Sequence, residues 1–402
     1  MKVLSGIKVA DFTWVGVGPW TARHLAHHGA TVVHVETSRA PDVLRLTPPF
    51  KGGRTDVNKA AYHALYNSNK YGITLNLNHP KAREVALRLI KWADIVFESF
   101  TPGTMKRWGL SYEDVKEIKP DIIYFSTCQM GQTGPRAKHP AFGTQLVSYA
   151  GFTYLTGWPD RGPTGPYGPY TDTLAPPLGA TLVVAALMYR NKTGRGVHID
   201  LSQFENALQF IGPVLMSYIL NGEIYERVGN RDPQACPHGA FRCRGDDRWI
   251  FIEVWNDDEW KALVRVMGEP EWASDERFKT FRGRKENEDE LERLIEAWTI
   301  TKDAYELMDM LQKEGVPAGV VQKGEDLYRD PYLKSLPYYW ELEHPEIGKH
   351  HYEGPPFKLS KTPAKLEMPA PTLGQHTEFV VTRFLGYSDE EFVEMLQEGV
   401  FE

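Results

Sequence analysis

The first 36 residues constrain the fold of this chain more than any other stretch. Residues 7–13 form an apolar run that predicts a buried strand, and residues 16–28 begin with Gly-Val-Gly-Pro and continue as a predicted helix. Residues 29–36 add a glycine turn and a second, β-branched strand that ends at Glu36. A strand, a helix and a second strand in this order predict a parallel sheet covered by helices.

The alternation of strands and helices continues through the first half of the chain and then stops. Further strands are predicted within residues 67–76, 94–100, 121–127 and 197–201. After Gly222 a hairpin pattern, charged amphipathic helices and a Pro-rich link predominate. We therefore predict an α/β protein with a large Rossmann-like domain over 1–221, a small α+β domain over 222–329, and a C-terminal segment, 330–402, that returns to the large domain.

Composition narrows the class of partners. The 402 residues are too many for one typical core, and the net charge of −7 argues against general binding to nucleic acid or anionic membranes. The three cysteines form neither a disulfide framework nor a zinc motif, and the amino terminus lacks the apolar core of a signal peptide. We expect a cytoplasmic protein with reduced thiols, no metal and no membrane-spanning segment.

One carboxylate stands out in the Gly/Pro-rich stretch between Arg161 and Gly179. Asp172 precedes an apolar run from Leu178 to Tyr189 that predicts a helix. At such a junction the free N–H groups and the positive dipole of the helix would keep the carboxylate ionised and present it to a ligand. An ordinary helix cap is the alternative interpretation, because aspartate is a favoured capping residue.

The first glycines also imitate a dinucleotide-binding fingerprint. Gly16, Gly18 and Ala22 follow a strand, and Glu36 lies at the distance from them at which an acid meets a ribose. The same glycines can equally serve close packing in any βα turn. Other ligand candidates lie in predicted loops after strands, where α/β proteins bind ligands: Lys106, Arg107, Arg136, Lys138 and His139.

Several short segments, in their order and spacing, together resemble the class III CoA-transferases of the CaiB/BaiF type, the family of formyl-CoA transferase and carnitine CoA-transferase. The resemblance covers nearly the whole chain. The segments that carry it are residues 4–13, 18–19, 29–36, 69–70, 100–103, 192–196, 315–319 and 373–377. The resemblance implies a Rossmann-like large domain, a smaller α+β domain and an interlocked dimer.

The resemblance also implies roles for individual residues. An aspartate after the Gly/Pro-rich loop is the nucleophile in that family, and Asp172 stands at its place. The CoA contacts implied in the same way are Val15, Arg39, Lys70, Phe100, Arg107 and Lys138, and the implied or nearby substrate-pocket residues are Gly16, His139, Tyr170, His238 and Gly239. Thr37 stands where formyl-CoA transferase has an arginine, and Arg39 is close enough to replace it.

Two further departures concern the substrate. Gly16 stands where formyl-CoA transferase has a glutamine that contacts the substrate, and the glycine-run loop of that enzyme is missing, with Pro237-His-Gly239 as its nearest equivalent. These departures disfavour oxalate and formate as substrates. They leave the chemistry unchanged, in which a carboxylate attacking a thioester forms a mixed anhydride that keeps the acyl group activated.

We therefore predict a transferase that moves CoA from an acyl-CoA donor to a carboxylic acid, with the thioester as substrate and no permanently bound cofactor. Aromatic side chains near the candidate site, together with His139 and His238, favour a dicarboxylate or an aryl-substituted acid as acceptor and succinyl-CoA as donor. The aromatic residues are Trp14, Trp20, Tyr167 and Tyr170. The expected assembly is a homodimer or a heteromer with a paralogous subunit.

Three alternatives stay open at this point. An acyl-CoA racemase or epimerase of the same fold family would use Asp172 with His139 as an acid/base pair. An NAD-dependent oxidoreductase would use Gly16, Gly18 and Glu36. A catalytically silent subunit that only binds CoA is disfavoured by the presence of Asp172.

Overall fold

The computed structural model describes residues 2–336 and 338–402, which divide into two compact units. The large unit comprises the chain up to Phe152, Pro166–Glu223 and Tyr332–Glu402. The small unit comprises Thr153–Gly165 and Ile224–Pro331. The predicted domain division places residues 153–165 in the large domain, whereas they belong to the small unit here. The division into domains stays a prediction.

A six-stranded parallel sheet forms the centre of the large unit. Its strands are β1 (Lys8–Asp11), β2 (Thr31–Glu36), β3 (Lys70–Thr74), β4 (Ile95–Glu98), β5 (Ile123–Cys128) and β6 (Val197–Ser202). Their order across the sheet is β3-β2-β1-β4-β5-β6, and every neighbouring pair is parallel. This arrangement confirms the predicted α/β class with a Rossmann-like parallel sheet.

Helices occupy both faces of this sheet and most of the small unit. In chain order they are α1 (Val17–His27), α2 (Ala61–Asn67), α3 (Pro80–Trp92), α4 (Thr104–Arg107), α5 (Tyr112–Lys116), α6 (Gly143–Tyr149), α7 (Phe152–Leu155), α8 (Tyr170–Thr193), α9 (Gln203–Gln209), α10 (Gly212–Asn221), α11 (Asp257–Val266), α12 (Glu276–Lys279), α13 (Phe281–Glu286), α14 (Glu288–Thr299), α15 (Ala304–Lys313), α16 (Gly324–Arg329), α17 (Pro331–Ser335), α18 (Thr377–Phe379) and α19 (Asp389–Gln397). Short 3₁₀ turns cover Val43–Leu46, Lys51–Gly53 and Glu271–Ser274, and a π-helical turn covers Val380–Phe384.

The two sides of the sheet bury alternate residues of the same strands, as the pleat requires. Val9 of β1 packs with α1 and α8 in one apolar cluster. Ala10, the next residue, packs with α3 and the carboxy-terminal helices in another. Burial on both faces explains why these strands read as continuous apolar runs.

Helix α8 differs from its prediction. The apolar run predicts a helix from Leu178 to Tyr189, but the helix begins at Tyr170 and contains Pro176 and Pro177. Its 24 residues are long and apolar enough to cross a membrane by length and composition alone, so the expectation of a shorter apolar segment is wrong. In this fold Val183 and Leu187 of α8 are buried against the sheet and α1.

The small unit is built on a three-stranded antiparallel sheet. The predicted hairpin is confirmed as β7 (His238–Arg242) and β8 (Trp249–Glu253), and β9 (Ala318–Val320) pairs with β8. In the large unit, β10 (Tyr339–His344) and β11 (Gly348–Glu353) form a further hairpin. All three cysteines are free thiols.

Candidate active site

A cavity of about 170 Å³ lies where the strand order of the parallel sheet reverses. β1 and β4 are neighbours at this point, and their connections leave toward opposite sides of the sheet. Ligands of open α/β sheets bind at the carboxyl ends of the strands at such a switch point. The lining residues are Trp14, Val15, Gly16, Ser99, Thr101, Pro102, Cys128, Gln129, Ala137, His139, Pro140, Ala141, Phe142, Gly143, Asp172 and Gln203.

Asp172 reaches this cavity from the first turn of α8. It is the third helical residue, and its N–H donates to the carbonyl of Pro169 at 2.9 Å. The residue before the helix is Pro169, so the interpretation of Asp172 as an ordinary cap is wrong. The side chain is 9% exposed, and its carboxylate accepts no hydrogen bond from any residue that the structure describes.

Two glycines enclose the Asp172 carboxylate. A Cβ added to Gly16 would lie 2.9 Å from Oδ2, and one added to Gly143 would lie 2.5 Å from Oδ1. Both separations are far below van der Waals contact, so any side chain at either position would displace the carboxylate or the backbone. The glycines therefore bring main chain to both carboxylate oxygens.

The backbone that approaches Asp172 comes from helix starts. Gly16 precedes α1, Gly143 is the first residue of α6, and Asp172 itself lies in the first turn of α8. The first N–H groups of a helix have no partner within the helix and carry its partial positive charge. This arrangement suits an oxygen that becomes negatively charged during acyl transfer.

Burial changes the charge state of Asp172. Removal from water raises the pKa of its carboxyl to about 7. The expectation that this carboxylate stays fully ionised is therefore wrong for the free protein near neutral pH. A nucleophile of this pKa is more basic than an exposed aspartate, and the ionised form is destabilised until a ligand reaches it.

The loop that carries Gly16 is held in a strained conformation. Val15 has φ of 67°, a left-handed value that β-branched residues rarely adopt. Its N–H donates to both carboxylate oxygens of Asp42, at 3.2 and 3.0 Å, and Asp42 also accepts from the N–H of Leu44 at 3.0 Å. Buried Asp42 thus compensates for strain beside the reactive carboxylate, as expected of a functional loop.

Lys70 is not placed as the resemblance implies. It is completely buried, and its ammonium group donates to Asp11 Oδ2, the Pro19 carbonyl and Asn67 Oδ1, each at 2.9 Å. All three ammonium hydrogens are therefore engaged inside the protein. The prediction that Lys70 meets a CoA phosphate is wrong, because no donor remains to reach solvent.

The other basic residues implied as CoA contacts are exposed. Arg39 pairs with Glu402, with Nε 3.0 Å from Oε2, and Arg107 donates to Thr104 Oγ1 at 3.0 Å. Lys138 is exposed in the loop that also supplies His139. Phe100 packs edge-on against Trp14 and Trp108 at 5.4 Å from each ring centroid. Their roles toward CoA stay predictions.

The predicted substrate residues divide between the two units. Gly16 and His139 line the cavity with Asp172, and Tyr170, which begins α8, packs against Phe152. In the small unit, Nδ1 of His238 contacts the Asn230 carbonyl, and Gly239 is buried opposite Ile252. A substrate role for these residues stays a prediction.

Glu36, the acid on which the dinucleotide interpretation depends, is buried and paired inside the fold. Glu36 is 1% exposed, and both its oxygens bind Arg45, at 2.7 Å to Nε and 2.6 Å to Nη2. It has no oxygen free for a ribose, so that interpretation is wrong. Among residues 2–336 and 338–402, one group of side chains could hold a metal ion by its geometry: His34, Glu36 and His63. The carboxylate of Glu36 is already paired with Arg45, which explains its burial without a metal.

Sequence reasoning missed part of the cavity lining. Gly143 and Gln203 begin α6 and α9, and Cys128 and Gln129 follow the strand predicted within residues 121–127, but nothing local distinguishes them. The position of Gln129 and Gln203 after parallel strands was the available signal. Gln129 has a buried side-chain oxygen with no partner in the described part of the chain, a feature that only the structure reveals.

Comparison with known proteins gives consistent relatives. A sequence model of the family described as CoA-transferase family III matches residues 4–377. The succinyl-CoA--D-citramalate CoA-transferase of Chloroflexus aurantiacus is 31% identical over 396 residues, which are 98% of this chain and 97% of that protein. The human succinyl-CoA:glutarate CoA-transferase is 28% identical over 401 residues, 100% of this chain and 90% of that protein. A crystal structure of a CaiB/BaiF family protein from Brucella suis matches with a TM-score of 0.87 and 30% identity, over 95% of this chain and 99% of that one.

Proposed function

This chain belongs to CoA-transferase family III, and from that premise we propose that it moves CoA from succinyl-CoA to a dicarboxylic acid, with Asp172 as the covalent carrier. The observation that carries the proposal is the Asp172 carboxylate. It lies in the cavity at the switch point, buried, free of hydrogen bonds from described residues, and enclosed by Gly16 and Gly143. A carboxylate without structural partners in such a cavity is available for chemistry.

The proposed reaction proceeds through three acyl intermediates on Asp172. Its ionised carboxylate attacks the donor thioester, the C–S bond breaks, and CoA thiolate leaves a mixed anhydride. The thiolate then attacks the aspartyl carbonyl carbon, the donor acid leaves as a carboxylate, and an aspartyl-CoA thioester remains. The acceptor carboxylate attacks this thioester to form a second anhydride, from which the returning thiolate releases acceptor acyl-CoA and free Asp172.

The surroundings of Asp172 suit each of these steps. Every step places negative charge on a carbonyl oxygen, and α1 and α6 begin beside the carboxylate with N–H groups that have no partner inside the helix. Anhydrides hydrolyse in water, and the buried position of Asp172 limits contact with solvent. For CoA itself we propose Arg39, Arg107 and Lys138 as phosphate partners and Val15 and Phe100 as apolar contacts.

The acceptor class is inferred from the relatives and from the cavity. The two curated relatives described above are named for succinyl-CoA and for citramalate or glutarate, which are both dicarboxylates. Trp14 and Phe142 in the lining also leave an aryl-substituted diacid within the class we propose. A panel of acceptor acids in which only small monocarboxylates are converted would contradict this assignment.

We also propose that the chain acts as a dimer. Helices α8 and α10 expose large apolar side chains, among them Met188 at 58%, Tyr218 at 60%, Ile219 at 69% and Leu220 at 73%. An apolar face of this kind on an enzyme is typical of a subunit interface. Light scattering of the wild type and of Leu220→Glu tests this, because the substitution should shift a dimer toward monomer; a wild-type monomer would contradict the proposal.

Trapping of the aspartyl intermediate tests the covalent mechanism. The protein is incubated with succinyl-CoA, treated with hydroxylamine, digested and examined by mass spectrometry. We expect a hydroxamate on the peptide that contains Asp172, lost in Asp172→Ala and retained in Asp246→Asn, a control at an exposed aspartate. An unmodified peptide with several acyl-CoA donors, together with exchange of the substrate α-proton for deuterium, would favour a racemase that pairs Asp172 with His139.

A further inference from the structure

Arg23 is a buried cation without an ion-pair partner. Three arginines are less than 5% exposed among residues 2–336 and 338–402: Arg23, Arg45 and Arg284. Arg45 is paired with Glu36 and Arg284 with Asp257, but no carboxylate of the described residues lies within 4.0 Å of Arg23. Buried charges in proteins are normally paired, because an uncompensated one is strongly destabilising. The exception therefore indicates a missing anionic partner.

Two buried donors around Arg23 are unused. Nη1 donates to the Leu65 carbonyl at 2.7 Å, while Nε is buried with no partner. The guanidinium lies 5.4 Å from the ring of Trp20, whose indole N–H is also buried without a partner. Both buried donors lack an acceptor and one of them is charged, and a carboxylate is an anion whose oxygens accept such hydrogen bonds.

The position of Arg23 on α1 relates it to the reactive carboxylate. Gly16 adjoins Asp172, and Trp20 and Arg23 follow it by four and seven residues, so all three share one side of the helix. Seven residues advance the chain by about 10 Å, and long side chains on a helix point back toward its start. By this general geometry, the side chain of Arg23 is directed toward the end of α1 that carries Gly16.

Tyr66 on α2 connects the two groups. Its ring stacks on Trp20 at 5.0 Å, and its hydroxyl lies 3.5 Å from that of Tyr62. Burial is the largest cause of its raised pKa, which Asp172 raises further and Arg23 lowers. The phenol thus lies within electrostatic range of both charges.

The cavity lining explains why such a cation matters. Of the side chains that line the cavity around Asp172, His139 is the one that can carry a positive charge, and it is exposed. A dicarboxylate bound with one carboxylate at Asp172 needs a partner for the other. No lysine or arginine of the lining offers one.

We propose that Arg23, with the indole N–H of Trp20, forms the subsite for the second carboxylate of the acceptor acid. The inference rests on the proposed function and extends it, because it names the residue that selects dicarboxylates over monocarboxylates. Burial lowers the pKa of Arg23 and the charge of Glu353 on β11 raises it, but Glu353 lies beyond ion-pair distance. Glu353 is therefore not the partner that the proposed subsite would bind.

The test compares glutarate with pentanoate, which lacks the second carboxylate. The value of kcat/KM for each acid, with succinyl-CoA as donor, is measured for the wild type, Arg23→Gln, Arg23→Lys and the exposed control Arg195→Gln. We expect the wild type to prefer glutarate, and Arg23→Gln to lose about a hundredfold on glutarate, chiefly in KM, while pentanoate changes less than about threefold. Arg23→Lys should be intermediate, and it replaces Arg23→Gln if that variant does not fold.

A measurement without catalysis separates this inference from the proposed function. Glutarate should raise the melting temperature of the CoA-free wild type and of Arg195→Gln, but not of Arg23→Gln, whether or not the protein transfers CoA. An equal loss on both acids, or an unchanged glutarate effect in Arg23→Gln, would overturn the subsite. A change of oligomeric state in Arg23→Gln with an unchanged preference for glutarate would also overturn the subsite, because the charge would then serve a second subunit. Equal losses of stability in Arg23→Gln and Glu353→Gln, without a change in preference, would overturn it as well.

Discussion

Two buried aspartates in the large unit have opposite environments. Asp11, at the end of β1, is fully buried and binds Lys70 at 2.9 Å, His34 at 3.1 Å and the N–H of Thr13 at 3.1 Å. Burial would raise its pKa, but Lys70, His34 and Thr13 together hold it well below its usual range. Asp172 has no such partners, and burial raises its pKa to about 7.

The contrast shows that partners, and not burial alone, determine what a buried carboxylate does. Asp11 contacts His34 on β2 and Lys70 on β3, so its charge links three strands of the sheet. Asp172 is also buried, at 9% exposed, yet its oxygens lie beside the main chain of two glycines and accept no hydrogen bond from a described residue. The first arrangement is stable and unreactive, whereas the second stores free energy that a covalent bond to an acyl group can release.

Removing the partner of Asp11 should have the largest effect. Lys70→Met leaves a fully buried carboxylate without its cation, so we expect the free energy of unfolding at pH 7 to fall by about 3–5 kcal/mol. Denaturant unfolding measures this, with the exposed Lys138→Met as a control of unchanged stability. A loss below about 1 kcal/mol would mean that Asp11 is stabilised mainly by its hydrogen bonds.

Removing the charge of Asp172 should have the opposite sign. Its pKa in the folded state lies above the unfolded value of 3.8, so stability falls as pH rises from about 4 to about 7. We expect Asp172→Asn to be more stable than the wild type by about 2–4 kcal/mol at pH 8 and equally stable near pH 4. Equal stability at both pH values would contradict the absence of partners around this carboxylate.

The sequence indicated this contrast only in part. Strand and helix periodicity predicted the sheet and its loops, and the resemblance pointed to Asp172. Lys70 was misplaced because two of its partners, Asp11 and Pro19, come from another part of the chain and leave no local trace. Gly143 was overlooked for a similar reason, since its closeness to Asp172 follows from how α6 and α8 pack. The first turns of α8 lie in the Gly/Pro-rich stretch, which by composition favours a loop, and they contain two prolines inside the helix.

A side chain beside the reactive carboxylate should reduce activity. In Gly143→Ala the new Cβ would overlap the Cβ of Pro169 and lie 2.5 Å from Asp172 Oδ1, so the carboxylate must move from its position between the glycines. We expect about a hundredfold loss in the rate of hydroxamate formation, as a displacement of about 1 Å can cause. Gly324→Ala, where a Cβ meets nothing within 4 Å, is the matched control. A Gly143→Ala enzyme of normal rate would show that the close main chain is not needed.

The pH dependence of the reaction gives the smallest effect and the most direct comparison of the two aspartates. Attack requires the ionised form of Asp172, whose pKa is about 7, so kcat/KM should rise about tenfold between pH 6 and pH 8 and level off above that. Asp11 is ionised throughout this range and contributes no slope. A profile already flat from pH 5 upward would place the pKa of Asp172 near that of an exposed carboxyl, and it would mean that the N–H groups at the helix starts compensate for burial before any substrate arrives.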